Sequence, residues 1–89
     1  MYRVEWLREA VDELADIWIK ADSPFRQEII RATHALDREL QADPYRQSES
    51  REGDVRILFE RPLGVLIEVD DRQGIVWILH VWPLRQNHW

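Results

Sequence analysis

The sequence predicts an α+β fold, with elements in the order β-α-α-β-β-β and a helical hairpin packed on one face of an antiparallel sheet. Three observations predict it. Apolar residues recur every three or four positions over residues 7–21 and 25–40; they alternate every second position over 2–6 and 55–70; proline- or glycine-containing clusters separate these stretches.

Tyr2, Val4 and Trp6 alternate with Arg3 and Glu5, the pattern of a half-buried strand. The period then changes. Leu7, Val11, Leu14, Ile17, Trp18 and Ala21 share one helical face, with Glu9, Asp12, Glu13 and Asp16 on or beside the opposite one. Asp22-Ser23-Pro24 ends this helix and starts the next, with Ser23 as the expected N-cap and Pro24 at the first helical position. The second stripe is Phe25, Ile29, Ala32 or Thr33, Leu36 and Leu40. It stops before Pro44, which disfavours helical geometry at Asp43. So short a joint makes the two helices an antiparallel hairpin.

Residues 43–54 are polar apart from Tyr45 and show no period, so they read as a surface loop. Val55–Glu60 alternates, placing Val55, Ile57 and Phe59 on one face, toward the helices. Arg61-Pro62-Leu63-Gly64 is the next turn, Val65, Ile67 and Val69 mark a further strand, and Asp71-Arg72-Gln73-Gly74 turns again. Ile75–Trp82 is apolar on both faces, as a strand inside a sheet should be. Pro83 ends it. The expected whole is a single domain over residues 1–89.

Composition narrows the function classes. The 89 residues include five tryptophans, which give a short chain the apolar area for a core, and no cysteine, which excludes disulfides and thiolate metal sites. No apolar leader follows the charged N-terminus and no run is long enough to span a bilayer, so a cytoplasmic protein is expected. The formal charge of −5 gives no compositional support for a nucleic-acid-binding surface; Lys20 is the only lysine and the arginines are scattered.

The element order and several local stretches resemble the RelE/ParE superfamily of type II toxins, the plasmid-stabilisation-like proteins neutralised by a cognate antitoxin. VEWLREAVDELADIW resembles the family's first strand and helix. The -ADP- helix end, the glycine before the strand, Arg56 in V-R-I-L, and IVWILHVW carry the rest. The resemblance implies one of two activities: RelE-like cutting of messenger RNA on the ribosome, or ParE-like inhibition of DNA gyrase. RelE-type cutting uses basic residues on the strands and near the C-terminus, with no metal or cofactor. Here Arg56 matches such a position, and Arg85 lies near another. Leu58 and Val65 or Leu66 are apolar where RelE is basic, and His88 and Trp89, not a tyrosine, follow Arg85. These departures favour a toxin that inhibits gyrase or translation without catalysis. A ribosome-dependent mRNA endonuclease and a degenerate, non-toxic binding module are the alternatives, and the oligomeric state is open.

Four residues are candidates for a site: Arg56, Arg61, His80 and Arg85. Alternation points Arg56 away from the helices, where it either pairs with Glu68 or Asp70 or binds a target. Alternation also puts His80 beside Val76, Ile78 and Trp82, company that suits a structural histidine. If Arg56 lies near Asp70 and His80 near Gly64, the two stand on the order of 20 Å apart, leaving Arg61, His80 and Arg85 as the more compact group. Asp12 with Asp16 and Glu9 with Glu13 lack a third ligand for a metal and read as a solvated face. Trp82, Leu84 and Trp89 either complete the core or form a partner surface. An apolar groove between the first helix and the sheet would suit a partner helix.

Overall fold

The computed structural model describes residues 1–84. Its elements are β1 (Arg3–Trp6), α1 (Arg8–Lys20), α2 (Ser23–Ala42), β2 (Glu49–Glu52), β3 (Val55–Glu60), β4 (Leu63–Asp70) and β5 (Ile75–Pro83). One sheet holds all five strands in the order β1-β5-β4-β3-β2. β2 to β5 form an antiparallel meander, while β1 joins the outer side of β5 in parallel, pairing Val4 with Val76 and Trp6 with Ile78. The sheet is therefore mixed, because the chain crosses over through both helices between β1 and the meander. β5, apolar on both faces, lies inside the sheet.

Both helices cover one face. Leu36 and Leu40 of α2, with Ala10, Leu14 and Ile17 of α1, pack on Val65, Ile67, Val69, Val76, Ile78 and Val81. Each large aliphatic side chain buried there contributes roughly 1.5–3 kcal/mol, which is what orders the helices against the sheet. The second helix starts one residue earlier than its sequence suggests. Asp22, not Ser23, is the N-cap: its Oδ1 accepts from the Phe25 amide at 3.0 Å, with Pro24 in the first turn. At the other end Asp43 caps the helix ahead of Pro44.

Three expectations need correcting. The stretch 43–54 is not all loop, since Glu49–Glu52 forms β2 against β3, and Gly53, at φ 58°, takes the left-handed turn between them. The faces of β3 are also reversed. The turn is only Arg61-Pro62, so Glu60 pairs with Leu63 and even-numbered positions of β3 stand opposite odd-numbered ones of β4. With Val65 and Ile67 committed to the core, Leu58 (2% exposed) joins them and Phe59 (50% exposed) is turned to solvent. Lastly, β5 does not alternate throughout. Leu66 pairs with His80 but Ile67 with Ile78, leaving Leu79 as an extra residue. That bulge sends His80 and Trp82 to the face opposite Val76 and Ile78.

On this open face the Trp82 indole lies flat over Gly64, so close that a Cβ at Gly64 would stand 2.6 Å from indole Cε2. Gly64→Ala should push the indole off the sheet and destabilise the protein by about 1–3 kcal/mol. Urea denaturation followed by tryptophan emission measures both effects; an unchanged midpoint would mean the indole moves freely.

Candidate functional site

Arg56 occupies the helix-side face of β3, not the open one, because it shares the parity of Leu58. Neither Glu68 nor Asp70 is its partner. Its Nε donates to Ser48 Oγ at 2.6 Å, its Nη2 to the Ser48 carbonyl at 2.9 Å, and its guanidinium lies 5.0 Å from the centre of the Tyr45 ring. Ser48, 8% exposed, passes its own hydroxyl hydrogen to the Pro44 carbonyl at 2.6 Å. The two bonds from Arg56 fasten the segment between α2 and β2 to the sheet, and the third braces that segment internally.

Beyond Tyr45 the network reaches the β4–β5 turn. Asp71 accepts from the hydroxyls of both Tyr2 and Tyr45, each at 2.6 Å. The bond to Asp71 pushes the Tyr45 hydroxyl up to about 12 and raises that of Tyr2. The same bonds, Tyr2's first and then Tyr45's, hold the Asp71 carboxyl below its ordinary value. Sequence reasoning missed this cluster. Tyr45, the lone apolar residue of a polar stretch, was the one signal for it.

His80 stands at the other side of the sheet. Register puts it and Arg56 on β5 and β3 with only β4 between, one residue out of step. Their Cα atoms are thus about 10 Å apart, closer than alternation implied, but their side chains leave opposite faces. His80 Nδ1 lies 3.1 Å from Glu13 Oε2, and Glu13 Oε1 accepts from the Val81 amide at 2.9 Å. A carboxylate can only accept, so Nδ1 carries the hydrogen and Nε2 is left as the basic atom. That is an imidazole held in one tautomer, an arrangement suited to general-base chemistry. Glu13, counted with the solvated face of the first helix, was invisible to helical periodicity because only the topology brings it to β5.

Arg61 sits exposed in the β3–β4 turn, its carbonyl accepting from Arg31 Nη2 at 3.2 Å. Among the described residues no hydrogen bond or ion pair joins it to His80 or Arg56. Arg85, His88 and Trp89 lie outside the described residues. Trp82 faces the open side with Phe59, rather than the core beneath the helices. No three histidine, aspartate or glutamate side chains among the described residues gather as a metal site, and no described helix is long and apolar enough to cross a membrane.

A cavity of about 220 Å³ opens at the C-terminal end of α2, lined by Arg38, Glu39, Pro44, Arg46, Ser48 and Leu58 among others. Glu39 Oε1 is buried there without a hydrogen-bond partner. Burial first, and then the neighbouring Glu60 carboxyl, raise the Glu39 carboxyl above its ordinary value.

The chain matches known proteins along nearly its whole length. A family model described as the ParE toxin of the type II toxin–antitoxin system parDE matches residues 4–88. Among solved structures, a chain of the RelBE2 toxin–antitoxin complex from Mycobacterium tuberculosis superposes with a TM-score of 0.75 at 18% identity, over 92% of this chain and 90% of that one. A chain of the chromosomal ParDE system from P. aeruginosa gives 0.69 at 19%, over 96% and 98%. The isolated E. coli RelE toxin gives 0.66 at 18%, over 98% and 88%. At these identities the structures share the fold. No curated protein matches the sequence.

Two titrations test the site. Tyr45's raised value means its bond to Asp71 contributes fully below pH 10 and is lost as pH rises through about 12. Asp71's lowered value means its contribution is present above 3.8 and lost as pH falls below it. Asp71→Ala should therefore cost a little stability near neutrality and nothing at either extreme, as read by thermal melts across pH. Glu39 has the opposite sense for a carboxyl: buried and uncharged below 4.5, it contributes there, and stability is lost as pH rises through its raised value. Glu39→Gln should raise the melting temperature at pH 7 by a few degrees and leave it unchanged at pH 4. A variant less stable at pH 7 would refute the burial cost.

Proposed function

The chain belongs to the ParE toxin family of type II toxin–antitoxin systems, and from that membership we propose that it is a cytoplasmic toxin that inhibits its target by occupying it, with DNA gyrase the target and a cognate antitoxin its neutraliser. The antitoxin follows from the company the fold keeps, since several solved relatives are toxin–antitoxin complexes.

The commitment of Arg56 carries the choice of mode. In-line cleavage of RNA needs cationic and proton-transferring groups converging on one phosphate. Arg56 is engaged by Ser48 and Tyr45 on the helix side, while His80 leaves the opposite face. Leu58, 2% exposed, adds nothing charged between them. A body that binds through shape and apolar contact fits this arrangement better than a nuclease does. One observation favours the second reading, a ribosome-dependent endonuclease: the imidazole of His80, oriented by Glu13, is equipped as a base.

Induced expression in a host cell should arrest growth, and co-expression of the protein encoded beside it should relieve the arrest. Purified protein should inhibit supercoiling by gyrase and leave messenger RNA intact in a purified translation system. Cleavage of that RNA, abolished by His80→Ala, would establish the nuclease instead; normal growth with folded protein would leave a binding module without toxicity.

A further inference from the structure

Among the described residues no helix covers the sheet face turned away from the hairpin, and register sets its side chains in rows across the strands. One row reads Glu5, Trp77, Glu68, Val55 and Glu52 from β1 to β2; the next reads His80, Leu66, Ile57 and Glu49. A third, toward the β3–β4 turn, is Trp82, Gly64 and Phe59. The face is therefore acidic over one part and aromatic at one end. Phe59 is 50% exposed, and beside it the Trp82 indole fills the place of the side chain that Gly64 lacks. Glu49, Glu52 and Glu68 are exposed, and among the described residues none of them has an ion-pair partner. Glu5 holds Arg3 at 3.0 Å. With Asp70 opposite Ile75 on the same side, and Arg51 counted in from the bulge of β2, carboxylates still outnumber guanidiniums here.

We propose that this face is where the protein meets its target, and that the target presents a cationic protein surface with an apolar recess for Phe59. The inference rests on the reading of the chain as an inhibitor that works by occupation. Three features select such a partner. An exposed aromatic ring is the kind of side chain that anchors a protein interface. The carboxylates repel a phosphate backbone and attract lysines and arginines. Trp82 already lies packed on Gly64, so the floor beside Phe59 is formed before binding and costs no ordering.

The face is large enough for such a contact. Five strands spaced by about 4.8 Å, with rows running from Asp70 to Gly64 of β4, give a surface of roughly 24 by 25 Å. Contact over all of it buries about 1,200 Å² on the two partners together, the lower bound of standard interfaces. Attraction between its carboxylates and a cationic partner makes the contact salt-sensitive.

Binding of the full chain to purified DNA gyrase, followed by surface plasmon resonance, tests it. Phe59→Ser should weaken binding by at least ~10-fold. Glu52→Lys combined with Glu68→Lys should weaken it by a similar factor and remove the salt dependence of the wild type. These positions are exposed, so each variant should keep a cooperative melt, and Glu28→Lys on α2 should bind as the wild type does. Gyrase bound equally by all variants overturns the inference and leaves the inhibitor reading standing. If the wild type arrests growth without binding gyrase, the arrest becomes the readout: relief by Phe59→Ser at equal protein level supports the face, and undiminished arrest overturns it. A DNA or RNA duplex that the wild type binds and Phe59→Ser does not would assign the face to nucleic acid and overturn it too. Neither binding nor arrest by the wild type ends both readings.

Discussion

The Val81 amide, accepted by Glu13, is the contact on which the arrangement of the sheet's outer side depends. β1 covers β5 only as far as Ile78. Past that point the strand edge would present its backbone groups to solvent or to another chain. Glu13 reaches over from α1 and accepts from the first outward amide beyond the bulge, and its other oxygen holds His80. One side chain therefore seals an edge, fixes α1 alongside it and orients an imidazole. Apolar packing places α1 on the sheet; the carboxylate fixes where along β5 it rests.

Much of this fold can be read in the primary structure, and the failures have physical causes. The two helical stripes and the two-sided apolarity of β5 are strong because burial selects them residue by residue. β3 failed because both of its faces offer apolar side chains, Ile57 and Phe59 against Leu58, and its register is dictated by the length of the Arg61-Pro62 turn. β2 failed because a strand of Glu, Ser, Arg and Glu has no apolar face to alternate. The one cue was Gly53-Asp54, a pair suited to a tight hairpin turn. Of the candidate site, Arg56 and His80 were recognisable as unusual residues, but their partners were not. Ser48, Tyr45, Glu13 and Asp71 are common polar residues that acquire roles only through tertiary proximity.

Charge is deployed in a similarly local way. With a net −5 the molecule is acidic overall, yet its notable guanidiniums serve as internal ties: Arg56 to Ser48, Arg26 to the Trp18 carbonyl at 3.0 Å, Arg31 to the Arg61 carbonyl. Each neutralises backbone or hydroxyl acceptors at a seam between elements. The carboxyl pair of Glu39 and Glu60 marks a seam sealed less well, with one oxygen left unbonded.

The extra residue at Leu79 divides β5 into two halves of different phase. Ahead of it, side chains serve helix packing on alternate positions; after it, the phase is reset, so 80 and 82 look outward while Val81 alone still reaches the interior. A change at His80 or Trp82 is therefore felt at Glu13 and at Gly64, the contacts those side chains make, rather than in the apolar layer beneath the helices.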